Sequence, residues 1–205
     1  MIKLGLSGNR YAGKDKVSIT FNKIGVPTFD ADTILKFILQ YNYDVLADIR
    51  KYIGSDIFLK DNLDIRRMDK DTLDKVINFA EVDLFKAYKR FQEKNSTSIY
   101  TIFNSSILFE REWDKRMDLT ISVFSPNTDR IKRCKSATNQ GLIIINDLIK
   151  TEMDPLIKNE LADYIIHNYD NGSNLITGDI PKQVRDIDQS IIDEYLYKEQ
   201  LDFVL

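Results

Sequence analysis

Gly8, Gly13 and Lys14 stand at the spacing G-x-x-x-x-G-K, and the chemistry of that spacing is the holding of a polyphosphate. Glycines let the main chain curl until successive N–H groups point inward, and a helix that starts directly afterwards adds the positive end of its dipole. A lysine closing the curl bridges phosphate oxygens as a point charge. Gly8, Asn9, Arg10, Tyr11, Ala12, Gly13, Lys14 and Asp15 are therefore the expected contacts of a nucleotide such as ATP, with Lys14 on its β- and γ-phosphates. The position after the lysine normally carries a Ser or Thr hydroxyl for magnesium. Here it is Asp15, whose carboxylate can reach Mg2+ directly or through water, so Asp15 is the expected metal ligand.

A second acidic pair, Asp30 and Asp32, closes the short apolar segment 26–29. Phosphoryl transfer asks the protein for position, charge stabilisation and a carboxylate that orients the acceptor hydroxyl. Asp32 suits that last role. Asp30 either holds magnesium through water or caps the following helix, and the competing reading of both residues is that of ordinary loop and cap aspartates.

The elements that must carry these groups follow from periodicity. Residues 2–7 form an apolar run ended by Gly8, and residues 17–24 show helical spacing, so the motif sits between a strand and a helix. A second strand is expected at 26–29, helix at 33–43, and charge-laced helix onward to about 95, broken at Gly54-Ser55 and Asp61-Asn62 with Asp71 as an N-cap. Strands are expected at 98–103, 119–124 and 163–167, and helices at 128–135, 142–150, from Pro155, and in the tail from Pro181. Such alternation implies a mainly parallel sheet covered on both faces, with ligands beyond the carboxyl ends of its strands.

Composition bounds the rest. The 205 residues carry a formal charge of -3 and are 43% hydrophobic, a globular balance without the basic field that duplex nucleic acid or an anionic membrane would need. Cys134 is the only cysteine and His167 the only histidine, which excludes an intrachain disulfide and a Cys/His zinc site. The chain opens without the apolar stretch of a signal peptide, so the expected location is the cytoplasm. Tyr11, Phe37, Tyr41 and Tyr43 are read as core fillers, His167 as structural and Cys134 as buried or incidental.

From Ile2 to about Gly172 these segments resemble, in order, the dephospho-coenzyme A kinases. Residues 4–8 with Gly13-Lys14 are similar to that family's opening, and residues 25–32 to its second-strand block, which ends in Asp-Ala-Asp with the last aspartate as base. Residues 53–57, 61–64 and Arg66-Arg67 resemble its acceptor-side helices, and residues 104–110 its Pro-Leu-Leu-x-Glu segment, with Glu110 matching and proline absent. Residues 123–126 leading to Arg133 look like its entry to the ATP lid.

The resemblance implies a three-layer α/β P-loop kinase fold of one domain, with a five-stranded parallel sheet in the order 2-3-1-4-5. It further implies a helical acceptor-binding insertion at 33–95 and a lid at 128–150. It implies ATP and Mg2+ as cofactors, Lys14, Asp32 and Arg133 as catalytic, and Asp30, Arg66, Arg67 and Glu110 as contacts of a small-molecule acceptor whose ribose 3′-hydroxyl is phosphorylated. Two departures fall on charged positions. Ala137 replaces the second lid arginine, with Arg130 and Lys135 as the nearest stand-ins, and Glu152 stands where a glutamine is usual. A Gly-Lys-Asp loop ending also occurs in phage-type deoxynucleoside monophosphate kinases. That activity, and a nucleotide-binding module with weakened catalysis, are the alternatives.

Overall fold

Five consecutive buried residues end the first strand, β1 (Ile2–Gly8), the pattern of a strand covered on both faces. In this computed structural model, which describes residues 1–64, 67–137, 152–169 and 179–204, the chain then forms α1 (Lys14–Lys23) and β2 (Thr28–Asp30). Next come α2 (Ala31–Tyr41), α3 (Tyr43–Tyr52), β3 (Phe58–Leu59), β4 (Asn62–Leu63) and α4 (Lys70–Lys94). The remainder is β5 (Tyr100–Asn104), β6 (Leu119–Phe124), α5 (Asn127–Ala137), α6 (Pro155–Leu161), β7 (Tyr164–His167) and α7 (Ile180–Val204). The main sheet runs β2-β5-β1-β6-β7, which among its own strands is the expected order 2-3-1-4-5. β1 pairs in parallel with β5 and β6, and β6 with β7.

Two compact units result, one containing Met1–Phe29 and the described residues from Asn95 onward, the other Asp30–Lys94. In the first unit, Leu4, Leu6, Ile102, Ile121, Val123 and Ile166 of the sheet form one core with Val17 and Phe21 of α1 and with Val184 and Ile191 of α7. Phe103 points to the opposite face from Ile102, where it stacks on Phe29 at 5.7 Å and meets the edge of Trp113 at 5.9 Å. The Tyr100 hydroxyl donates to Asp188 at 2.6 Å and so ties α7 to the sheet. Burial first, and that bond second, push the Tyr100 phenol far above its usual range.

The second unit departs from the expected run of helix in three places, each with a local cause. Asn42 ends α2 and caps α3, accepting from Val45 N–H at 3.3 Å while its amide donates to Asp83 at 2.8 Å. The break before α4 holds a two-stranded hairpin, because Lys60 and Asp61 both take left-handed φ values of 47° and 66°, the turn that matches strand twist. The cap of α4 is Asp69, which accepts from Thr72 N–H at 2.7 Å; Asp71 lies inside the helix. Phe37, Tyr41 and Tyr43 are corrected from core to surface, at 59%, 53% and 84% exposure. The buried stripe of α2 is instead Ala31, Leu35 and Ile38, and Phe37 and Tyr41, one turn apart, pair with each other at 4.9 Å. Arg66, the helix expected at 142–150 and most of the expected lid lie outside the described residues. Among the described residues no helix is long and apolar enough to cross a membrane.

The capping difference is testable. Hydrogen bonds from Thr72, side chain first and backbone second, lower the Asp69 carboxyl from its usual range. A depressed folded value means the stabilisation is present above the unfolded pKa of about 4 and is lost as acid protonates the folded carboxylate. Asp69→Ala therefore lowers the thermal midpoint at neutral pH and flattens its decline in acid, whereas Asp71→Ala leaves the midpoint nearly unchanged; thermal melts at pH 7 and pH 3 distinguish the two positions.

Candidate active site

The loop between β1 and α1 is curled by two left-handed residues, Tyr11 at φ 62° and Gly13 at φ 98°, and closed by a bond from Ala12 N–H to the Asn9 carbonyl at 3.0 Å. Gly13 is required twice over. Its φ favours glycine, and a Cβ there would lie 2.1 Å from the Asn168 amide nitrogen. As N-cap of α1 it makes no side-chain bond to the first helical amides, which leaves a helix N-terminus suited to an anion.

What turns the amides inward is a set of side chains on the outer surface of the loop. Arg130 Nε donates to the Arg10 carbonyl at 2.8 Å, and Arg133 Nη1 to the Tyr11 and Ala12 carbonyls at 2.9 and 3.3 Å. Asn168 Nδ2 adds a second bond to the Ala12 carbonyl, at 2.6 Å. A peptide is planar, with C=O and N–H on opposite sides, so carbonyls held outward at Arg10 and Ala12 direct the N–H groups of Tyr11 and Gly13 to the concave side. Glu152 completes the brace by accepting from Arg10 N–H at 2.9 Å and from Asn9 Nδ2 at 3.1 Å. Its carboxylate also pairs with the guanidinium of Arg130, which is 1% exposed.

Lys14 lies at the inner end of this curl and is itself 9% exposed. Its Nζ donates to Asn104 Oδ1 at 2.9 Å and lies 3.5 Å from Asp15 Oδ1. The Asp15 side chain is 86% exposed, so a hard carboxylate oxygen faces solvent and could hold a divalent cation. Among the described residues no group of three His, Cys, Asp or Glu could cage a metal. A single carboxylate such as Asp15 is chemically suited to an ion such as Mg2+ that brings phosphate and water ligands with it. Tyr11, at the turn, hydrogen-bonds the buried Cys134 thiol, and that bond, with desolvation second, raises the phenol above its usual range.

The other expected site residues separate into two groups. Arg133, expected as a catalytic lid charge, donates to the loop carbonyls, to Ser125 Oγ at 3.0 Å and to the Asn168 carbonyl at 2.9 Å; this geometry makes it a brace of the loop. Arg130 is corrected as a stand-in for the missing lid arginine, since all three of its nitrogens are bonded, the third to Asn127 at 2.9 Å. Glu110 compensates the buried Lys158 at 2.8 Å, while that ammonium also donates to the Ser106 carbonyl at 3.0 Å. In the second unit, Asp30 caps α2 through both oxygens, from Thr33 N–H at 3.0 Å and Thr33 Oγ1 at 2.8 Å, so Asp32 sits in a fixed first turn. Arg67 donates to the Asp56 and Phe58 carbonyls at 3.0 and 3.3 Å. Sequence reasoning missed Asn104, Asn168 and Lys158. Asn104 had a signal, directly following the strand expected at 98–103; Asn168 and Lys158 had none, because bonds to Ala12 and to Ser106, 156 and 52 positions away, leave no local pattern.

Comparison with known proteins places this geometry among kinases. The sequence model of the dephospho-CoA kinase family (CoaE) matches residues 2–174. The dephospho-CoA kinase of Pseudoalteromonas translucida is 26% identical over 187 residues, covering 86% of this chain and 87% of that protein. Among solved structures, TT1252 from Thermus thermophilus superposes with a TM-score of 0.73 at 18% identity, covering 94% of this chain and 97% of that one. A dephospho-CoA kinase from Campylobacter jejuni does so at 0.53 and 17%, covering 92% and 96%. Likenesses at that level of identity show the fold.

The brace predicts an unequal response at one position. Glu152→Ala strands the buried Arg130 guanidinium and lowers unfolding free energy by about 3–5 kcal/mol. Glu152→Gln keeps an acceptor for Arg10 N–H and Arg130 and loses clearly less, as read from urea midpoints of the three proteins.

Proposed function

Because the chain belongs to the dephospho-CoA kinase family, whose members are ATP-dependent kinases, we propose that it transfers the γ-phosphoryl group of ATP to the ribose 3′-hydroxyl of dephospho-CoA. The observation that carries the reading is the braced loop with buried Lys14 at its inner end. Such a loop offers oriented amides and one ammonium to a polyphosphate, and little else.

In this reaction the acceptor oxygen forms a bond to the γ-phosphorus, the bond from that phosphorus to the β-bridging oxygen breaks, and ADP leaves. Lys14 stabilises charge on the β- and γ-phosphates, with the amides of the loop and of the first turn of α1 around them. Asp32 orients the attacking hydroxyl and receives its proton, in the first turn of a helix whose start Asp30 secures. Asp15 is the residue that would hold Mg2+, which when bound neutralises phosphate charge. Arg133 keeps the loop in shape. Arg67 supports the acceptor side through the turn it ties together, and Glu110 acts through Lys158 on the segment that follows β5.

A second reading, phosphorylation of a deoxynucleoside monophosphate, draws on Asp15 and needs no general base. The two are separated by one residue and one panel. With ATP, magnesium and dephospho-CoA, the protein releases ADP and yields a 3′-phosphorylated product by phosphorus NMR, and Asp32→Asn lowers kcat by about 10²–10⁴-fold. Turnover of a deoxynucleoside monophosphate that survives Asp32→Asn, with none of dephospho-CoA, replaces this reading by the second. Tight ATP binding without turnover of any acceptor refutes both.

A further inference from the structure

β7 closes one edge of the main sheet, and an edge strand presents a row of N–H and C=O groups that no neighbouring strand pairs. At its end, Asn168 N–H donates inward to the Phe124 carbonyl of β6 at 2.8 Å. Both main-chain polar groups of His167 go instead to Gln183 of α7. The Gln183 side-chain oxygen accepts from His167 N–H at 2.8 Å, and its Nε2 donates to the His167 carbonyl at 2.9 Å. A carboxamide carries an acceptor and a donor side by side, so this one stands where the peptide of a further strand would lie.

Both ends of the contact are fixed. Asp179 caps α7 by accepting from Lys182 N–H at 3.0 Å, and its carbonyl accepts from Gln183 N–H at 3.0 Å. Val184, the next residue, is fully buried, and with Ile180 and Ile191 it joins the core shared by β1, β6, β7 and α1. On the strand side, the planar peptide between His167 and Asn168 has its carbonyl on Gln183 and its N–H on Phe124, so it cannot turn without losing a bond. Asn168 therefore leaves β7 in a set direction. Its carbonyl accepts from Arg133 Nη2 at 2.9 Å, and its Nδ2 donates to the Ala12 carbonyl of the phosphate loop at 2.6 Å. The fit is close, since a Cβ on Gly13 would lie 2.1 Å from that nitrogen. A small drift of the strand end either breaks the bond to Ala12 or presses on Gly13.

We propose that Gln183 is a positioning residue for the phosphate loop. It holds the end of β7 and, through Asn168, keeps the Ala12 carbonyl turned outward, which aims the Gly13 N–H at a bound phosphate. It touches no ligand and no reacting atom. α7 thereby acts on the loop from two sides, packing with α1 in one core and reaching Asn168 through Gln183. The proposal rests on the reading of the loop as an ATP site, and it extends that reading to a helix more than 160 positions away along the chain.

The test uses the full-length protein well below the melting midpoint of every variant. MgATP binding is read by calorimetry, and KM for MgATP with the acceptor that the wild type turns over. Gln183→Met fills similar space without hydrogen bonds; it weakens MgATP binding and raises its KM by about 3–30-fold, the range for a residue that acts on a site through others. KM for the acceptor stays at its wild-type value. Asn168→Ala acts at least as strongly, and adding Gln183→Met to it changes little more, because the group through which Gln183 works is gone. Gln189→Met, which removes only an exposed bond to Asp193 on the same helix, leaves all three quantities unchanged. Melting curves identify any variant that fails to fold. If Gln183→Met is lost in that way, Gln183→Glu decides the question, since at neutral pH it accepts from His167 N–H but donates nothing to the His167 carbonyl, and it moves MgATP binding in the same direction. A variant that melts earlier yet binds MgATP as the wild type does, that raises both KM values equally, or whose effect multiplies in full with that of Asn168→Ala overturns the positioning role and leaves the kinase intact. A wild-type protein that binds no MgATP overturns the ATP reading of the loop, and the role of Gln183 with it.

Discussion

A main-chain loop can offer N–H groups to an anion only if its carbonyls are turned away and bonded elsewhere, and this constraint organises the first unit. The carbonyls of Arg10, Tyr11 and Ala12 are each held by a side chain from a distant element, Arg130 and Arg133 of α5 and Asn168 just past β7. The parallel sheet makes that possible by ending β1, β6 and β7 at one edge. Gly13 is the counterpart of Asn168, since only a residue without a Cβ leaves room for its amide.

Charge is arranged by the same logic. Arg130 is almost completely buried and is matched by Glu152, whose carboxylate also takes the Arg10 N–H. A buried pair is costly to break from one side, so Arg130 of α5, Glu152 just before α6, and the loop are tied together. Lys158 and Glu110 repeat the arrangement on the segment after β5. Lys14, the third buried cation among the described residues, donates to the neutral carboxamide of Asn104 and lies 3.5 Å from the exposed Asp15 carboxylate. The two arginines of α5 are engaged in holding the shape of the loop.

The second unit shows where pattern reading succeeds and where it slips. The apolar positions of α2 and α4 carry helical spacing, so their existence was legible. Their faces were not, because Phe37 and Tyr41 satisfy a one-turn spacing as well as Leu35 and Ile38 do, and only packing against α3 and α4 decides which pair is buried. The cap of α4 was misplaced by two residues for a similar reason: Asp69 and Asp71 are equally good acceptors, and the choice belongs to whichever carboxylate faces Thr72 N–H. The hairpin at residues 58–63 escaped notice since its strands are two residues each, too short to show a period.

The sequence by itself determined the phosphate loop, the alternation of strands and helices, the order of the sheet and the family, because all of these rest on local spacing or on an ordered set of motifs. The places of Lys14 and Asp15 at the end of that loop, and of Asp32 after the second strand, were legible for that reason. Tertiary structure alone decided that Arg130 and Arg133 brace the loop from outside, that Asp30 is a cap, that Glu110 answers a buried lysine, and that Asn104 meets Lys14. Hydrogen bonds between distant residues depend on strand register and on the direction of each side chain, quantities that no single segment of the chain contains.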